Sequence, residues 1–200
     1  MLSKTESRVL ELLFDDLTKE YSILELAKAL KLPYPQVHRT VTSLIKRQLL
    51  SSTRKGKALL IGLYTELNKE YVFIELVRRD KTLQKYKNLA VLLDDLEKIS
   101  SVQYICLVFG SYAKGKAAKT SDIDLLFAIP DEYDYQSFEN KVKTGLTVPR
   151  TDINITTEQG LIEMWQKPGQ LNVANELLKG HIILKGAEAF LHLRRKYYRG

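Results

Sequence analysis

Apolar residues recur every three or four positions over three successive stretches at the start of the chain. In TESRVLELLFDDL, beginning at Thr5, residues Val9, Leu10, Leu12, Leu13 and Leu17 share one helical face, with Thr5 and Ser7 as candidate caps. In YSILELAKALKL, Ser22 precedes a face of Ile23, Leu26, Ala27 and Leu30. Pro33 and Pro35 then punctuate the chain ahead of a third helical pattern over 35–48, whose apolar face is Val37, Val41, Leu44 and Ile45. A helix tolerates proline in its first turn, where the missing N–H has no partner to lose. Next, LLSSTRKGKALLIGLY places a basic, Gly-containing turn at Arg54-Lys55-Gly56-Lys57 between two apolar runs, which predicts a hairpin.

Two further helical patterns lie between Asn68 and Ile99, joined near Asp80-Lys81-Thr82. Leu83, Tyr86, Leu89, Leu92, Leu93 and Leu96 line one face of the second, which reads as packing against a neighbouring domain. Beyond residue 100 the pattern changes to short apolar runs: VQYICLVF, DIDLLFAI, a segment around Asp152-Ile153-Asn154-Ile155, and HIILK. A crossover helix is expected over DEYDYQSFENKVKTGL, a helix interrupted at Pro168-Gly169 over LIEMWQKPGQLNVANELLKG, and a closing helix over AEAFLHLRRKYYRG. Trp165 and Phe190 read as core, and the terminal RRKYYRG as a frayed basic tail. Strands mixed with helices in this order predict an α+β chain with a small mixed sheet flanked by helices.

The formal charge of +7 is unevenly spread. Residues 1–60 hold eleven Lys or Arg against six Asp or Glu, residues 61–100 hold seven of each, and residues 101–200 hold thirteen against eleven. The surplus at the front points to an anionic partner there. The single cysteine, Cys106, sits inside YICLVF and reads as a small buried hydrophobe; it excludes an intrachain disulfide, and no Cys/His cluster suggests zinc. His38 has no nearby ligand in the sequence and does not read as a metal site. No apolar run reaches the ~20 residues of a membrane span, and no signal-peptide profile opens the chain. A soluble, cytoplasmic protein is expected.

Candidate chemistry concentrates in GSYAKGKAAKTSDIDLL, Gly110 to Leu126. Strand side chains alternate, so Asp122 and Asp124 project to one face while Ile123 and Leu125 take the other. Two like charges so close are unfavourable without a cation between them, and hard carboxylate oxygens suit Mg2+ or Mn2+.

Gly110-Ser111, a short loop with Gly115, and then Ser121-Asp122-Ile123-Asp124 resemble the signature of DNA polymerase beta-like nucleotidyltransferases, in particular the minimal nucleotidyltransferases. Lys114 stands where arginine is common, keeping a charge but losing the bidentate fork. The resemblance implies that Gly110, Ser111, Lys114 and Ser121 contact the triphosphate of an NTP, and that Asp122 and Asp124 bind divalent cations. It also implies a third carboxylate on a neighbouring strand. Counting back from Thr157-Glu158 gives Asp152; a register shift of two would substitute Asn154, a neutral ligand that leaves a weak or inactive enzyme. Such proteins transfer a nucleoside monophosphate (NMP) to a hydroxyl on a protein, a small molecule or an RNA end.

Residues 4–64 resemble winged helix-turn-helix domains of DNA-binding regulators, which also serve as scaffolds or homodimerisation modules. That resemblance implies that Tyr34, Gln36, His38, Arg39 and Thr40 approach base edges or phosphates of double-stranded DNA, with Arg54, Lys55 and Lys57 on the wing. The whole arrangement is similar to prokaryotic, often archaeal, fusions of the two modules described as transcriptional regulators. Three domains are expected: a winged helix over 1–66, a helical linker over 67–99 and a nucleotidyltransferase domain over 100–200. The activities implied are NMP transfer, nucleotide sensing by a regulator, or modification of a partner protein in the manner of an antitoxin.

Overall fold

The computed structural model describes residues 1–99, 103–167 and 172–199, so the expected interruption at Pro168-Gly169 lies outside the described residues. The chain is mixed α and β and divides into two compact units, Met1–Ile74 and Glu75–Gly200.

The first unit runs α1 (Lys4–Phe14), β1 (Tyr21–Ser22), α2 (Ile23–Leu30), α3 (Tyr34–Lys46), β2 (Leu50–Lys55) and β3 (Ala58–Leu63). Helix α1 is capped by Ser3 rather than by Thr5 or Ser7. The Glu6 N–H donates to the Ser3 hydroxyl at 3.2 Å, and the Ser3 N–H donates to the Glu6 carboxylate at 2.7 Å. This reciprocal pair needs a Ser-x-x-Glu spacing, which Ser3 alone of the three supplies. The same box at Ser22 and Glu25 starts α2, as expected. Pro33 and Pro35 open α3. Strands β2 and β3 pair antiparallel from Leu50↔Leu63 to Lys55↔Ala58. The two-residue β1 joins the other edge of β3, giving the order β1-β3-β2. Three helices and a hairpin thus take the order of a winged helix. Val9, Leu10, Leu26, Val37, Leu44 and Ile61 are fully buried between them. The Tyr71 hydroxyl closes this core by donating to the Leu49 carbonyl at 2.5 Å.

The break between the next two helices does not fall at residues 80–82. Helix α4 (Lys69–Lys85) runs straight through them, and α5 (Lys87–Lys98) begins after Tyr86. The polar Asp80-Lys81-Thr82 run reads as a loop, but the Thr82 hydroxyl donates to the Arg78 carbonyl at 2.9 Å without interrupting the helix.

The second unit continues with β4 (Ile105–Val108), α6 (Gly110–Ala113), β5 (Ile123–Ile129), α7 (Tyr135–Gly145), β6 (Thr151–Thr157), α8 (Glu158–Trp165), α9 (Val173–Leu178), β7 (Ile182–Lys185) and α10 (Ala187–Arg199). Its sheet has the order β6-β5-β4-β7 and is mixed: β5 and β6 are parallel, and the other two pairings are antiparallel. Both faces are covered. Ile123, Leu125, Phe127 and Ile129 pack with Leu92 and Leu96 of α5 and Phe138 and Val142 of α7. On the other face Leu107 and Leu126 are buried, and α8 and α10 pack against β5 and β4. Every residue of β5 except Asp124 is buried, which stabilises the strand strongly at about 25 cal/mol per Å² of apolar surface removed from water.

Cys106 is fully buried in β4, and Trp165 packs edge-on against Phe190 with ring centres 5.8 Å apart. The C-terminal segment is no frayed tail: α10 continues to Arg199, Arg194 is buried, and Tyr197 packs on Trp165. Among the buried charges, Arg78 donates to Glu75 at 2.5 Å and to the His181 carbonyl at 2.9 Å, and His181 Nε2 lies 3.2 Å from Glu75.

Candidate active site

Two loops and two parallel strands of the second unit build the site. Strand β4 ends at Val108, and Gly110 turns the chain into α6 with a φ of +64°, a left-handed conformation that side chains resist. The glycine is also required sterically. A Cβ built at Gly110 would stand 3.0 Å from Asp124 Cγ and closer still to its carboxylate oxygen. The backbone of the Gly-Ser bend therefore lies directly against the Asp124 carboxylate. What the sequence presents as a tight Gly-Ser turn is one turn of helix, sealed by the Lys114 N–H donating to the Gly110 carbonyl at 3.1 Å. The half-buried Ser111 hydroxyl has no hydrogen-bond partner among the described residues.

The parallel register settles where the acidic residues stand. Asp124 of β5 is directly opposite Asp152 of β6, and Asn154 is opposite Leu126, one full pleat further along. Asn154 turns its amide to the Leu125 carbonyl at 3.4 Å. Asp122 lies two residues before Asp124, just ahead of β5, and its charge acts on the Asp124 carboxyl. Asp122 and Asp152 are exposed, and Asp124 is half-buried. Burial raises the Asp124 carboxyl above the usual carboxylate range, and the charges of Asp152 and Asp122 raise it further, while Lys114 works in the opposite direction. The three carboxylates are thus mutually repulsive. Among the described residues their side chains do not close into a chelating group of three. Hard oxygen donors on adjoining strands, beside a bend with no side chain, are chemically suited to Mg2+ or Mn2+.

The other candidates for nucleotide contact stand further out. Lys114 is exposed and pairs with Glu176 at 3.4 Å. The Ser121 hydroxyl is engaged within its own loop, accepting from the Ala118 N–H at 2.9 Å, so it shapes the turn ahead of Asp122. Arg150 was absent from the sequence-derived set. With a φ of +60°, its carbonyl accepts from the Ile123 N–H at 2.8 Å, and its guanidinium donates to the Thr120 carbonyl at 3.2 Å. Arg150 thereby ties together the loops that lead into both acidic strands. A charged residue two positions ahead of Asp152 was the available signal.

In the first unit, His38 and Arg39 are exposed on α3 and share a shallow cavity of about 590 Å³ with Thr42 and Lys46. Lys46, one helical turn beyond residues 42 and 43, extends the basic face and could have been found by its spacing. Gln36 points inward, donating to the Thr5 hydroxyl at 3.0 Å. Tyr34 is exposed and lies near His38, with ring centres 5.9 Å apart, and Thr40 donates to the Gln36 carbonyl at 2.9 Å. On the hairpin, Lys55 pairs with Glu20 at 2.7 Å, whereas Arg54 and Lys57 are exposed without a partner among the described residues.

Among the described residues, no helix is long and apolar enough to cross a membrane. No curated protein matches the chain. Among solved structures, the adhesin competence repressor AdcR from Streptococcus pyogenes is similar at 28% identity, over 50% of this chain and 68% of that one. Its TM-score of 0.36 carries no structural argument. The bend, both acidic strands and the loops that join them all fall inside residues 89–171, the segment that matches the nucleotidyltransferase domain family.

Proposed function

We propose that the second unit is a metal-dependent nucleotidyltransferase that moves a nucleoside monophosphate from an NTP to a hydroxyl acceptor. The observation that carries this reading is the pairing of Asp124 with Asp152 on adjacent strands, with Asp122 beside them and Gly110 against the Asp124 carboxylate. Divalent cations held by Asp122, Asp124 and Asp152 would neutralise the triphosphate and the departing pyrophosphate and lower the pKa of the attacking hydroxyl. The chain's own residues do the rest. Backbone N–H groups at Gly110 and Ser111, with the Ser111 hydroxyl, hold the phosphates where a side chain at residue 110 would exclude them. Lys114 adds a positive charge at the outer edge of the site. Asp152, the exposed member of the facing pair, would take the proton of the acceptor hydroxyl as the acceptor oxygen attacks the α-phosphorus. The bond from that phosphorus to the bridging oxygen breaks, and pyrophosphate leaves. Incubation with Mg2+ or Mn2+ and labelled NTP should release pyrophosphate, and Asp122→Asn combined with Asp124→Asn should abolish release. No turnover across a broad acceptor panel would defeat the proposal.

For the first unit we propose binding to double-stranded DNA, with α3 in the major groove and the β2–β3 hairpin on the backbone. The support is the exposed cationic set of Arg39, Arg54 and Lys57, none with a partner among the described residues, joined by Lys46. Lys55 and Gln36 have internal partners and contribute less. If transfer fails while duplex binding and nucleotide binding persist, a DNA-binding regulator that senses nucleotide is the remaining reading.

A further inference from the structure

We infer that the second unit carries a separate binding site for a phosphate-bearing small molecule, in a cavity on the opposite side of the sheet from the Asp124 and Asp152 carboxylates. The cavity measures about 800 Å³, within the range of small-molecule sites. It is walled by Tyr86 and Lys87 at the start of α5, Tyr112 of α6, the 117–121 loop, and Val148 to Arg150. Tyr112 and Val148 belong to the same hydrophobic cluster as Ile123, and Tyr86 and Ala117 pack against that cluster. By strand alternation Ile123 points away from Asp124, and Ile153, which packs against the same cluster, points away from Asp152, so the cavity and these two carboxylates occupy different faces.

Two features point to an anion. Lys85, Lys87, Lys119 and Arg150 all line the cavity, and no acidic residue does so among the described residues. Lys87 and Lys119 have no ion-pair or hydrogen-bond partner among the described residues, and both are exposed at the rim. Tyr86 packs edge-on against Tyr112, with ring centres 4.9 Å apart, and Asn88 donates to the Tyr112 hydroxyl at 2.7 Å. The aromatic wall is therefore fixed. A phosphate monoester offers acceptor oxygens for the Lys87 and Lys119 ammonium groups, and its organic part can lie along the two tyrosine rings. Occupancy would also reach the carboxylates indirectly, because in the wall Ser121 immediately precedes Asp122 and Arg150 immediately precedes the strand bearing Asp152.

The test is calorimetric titration of the full chain with inorganic phosphate, in EDTA so that no divalent cation recruits phosphate to the carboxylates. Saturable binding at one site is expected. Lys87→Gln and Arg150→Gln should each weaken it by about tenfold, the scale of one charge-assisted hydrogen bond. Lys114→Gln, on the carboxylate side, should leave it unchanged. No saturable binding, or equal losses from Lys114→Gln and Lys87→Gln, would overturn the inference. Neither result depends on whether nucleotidyl transfer occurs.

Discussion

Replacing Gly110 by alanine separates the geometry of the acidic site from the stability of the fold. Two effects combine at this position. The left-handed backbone, with a φ of +64°, costs a non-glycine residue about 1–2 kcal/mol. The added methyl would also lie 3.0 Å from Asp124 Cγ, where carbon atoms settle at about 3.5–4.0 Å, and nearer still to the carboxylate oxygen. The short Asp124 side chain yields more easily than the buried strand behind it, so its carboxylate swings away by roughly 1 Å, a displacement that can cost about 10²-fold in rate. Gly115→Ala provides the control. Its φ of +67° carries a similar backbone cost, but the nearest atom to an added Cβ is the mobile Lys85 ammonium at 3.4 Å. Both variants should melt a few degrees below the parent, at about 2–4 °C per kcal/mol for a chain of this size. Only Gly110→Ala should lose pyrophosphate release, by about a hundredfold. Thermal melts by circular dichroism and a coupled pyrophosphate assay measure the two effects. Transfer by Gly110→Ala within a factor of two of the parent, or an equal loss in Gly115→Ala, would refute the idea that the bend holds the Asp124 carboxylate in place.

Charge and packing elsewhere in the chain are open to test as well. Burial works to raise the Glu75 carboxyl, but the neighbouring charges of Arg78 and His181 prevail and hold it below the usual range. A depressed acid contributes stability that is fully present above its unfolded pKa of about 4.3 and is lost as pH falls toward the folded value. Glu75→Gln should therefore cost about 3–5 kcal/mol near neutrality and flatten the acid limb of a plot of melting temperature against pH. An unchanged acid limb would show that the triad is not what titrates. Arg39→Ala and Arg54→Ala should each weaken duplex DNA binding across sequences and reduce the salt slope of the binding constant by about one, measured by fluorescence anisotropy. Burial raises the Cys106 thiol well above its ordinary pKa, so it should react with a thiol reagent only as fast as the second unit opens, and reaction at the rate of a free thiol would contradict the packing of β4.

The repeating patterns in the sequence translated well into elements where one face alone is buried. Helices α1, α2 and α3 and the β2–β3 hairpin arise from three- and four-residue spacing and from a glycine turn. The misplaced features were those decided by contacts distant in sequence or by single hydrogen bonds. Strand β1 has only two residues, too few for any period, and exists because Tyr21 and Ser22 pair with β3. The break at Tyr86 is invisible to polarity, since Asp80 to Thr82 are helix positions rather than a loop. The end of the chain looked too charged to be ordered, yet Arg194 is 4% exposed and sits over the Tyr198 ring at 5.1 Å. At the candidate site, the Asp122/Asp124 spacing and the Gly-Ser bend were legible because strand alternation and glycine's freedom are local rules. The placement of Asp152 rested on counting back from Thr157, whose side chain accepts from the Gly160 N–H at 3.0 Å as the cap of α8. Arg150 went unnoticed because its task is to bind backbone carbonyl and amide groups of another loop, and sequence spacing carries no trace of that.

The seven parallel rungs from Ile123↔Thr151 to Ile129↔Thr157 have a mechanical corollary. Sliding β6 by one residue would bring Ile153 to the acidic edge and drive Asp152 into the hydrocarbon cluster, a displacement no single side chain could absorb. The spacing of the facing carboxylates is therefore quantised by the sheet. Thermal agitation can swing the side chains, but it cannot gradually widen the gap between their strands without unzipping apolar contacts on both faces. Tuning of this centre by evolution or by design is accordingly confined to the bend and to the two loops held together by Arg150, where the chain can change shape without disturbing the rungs.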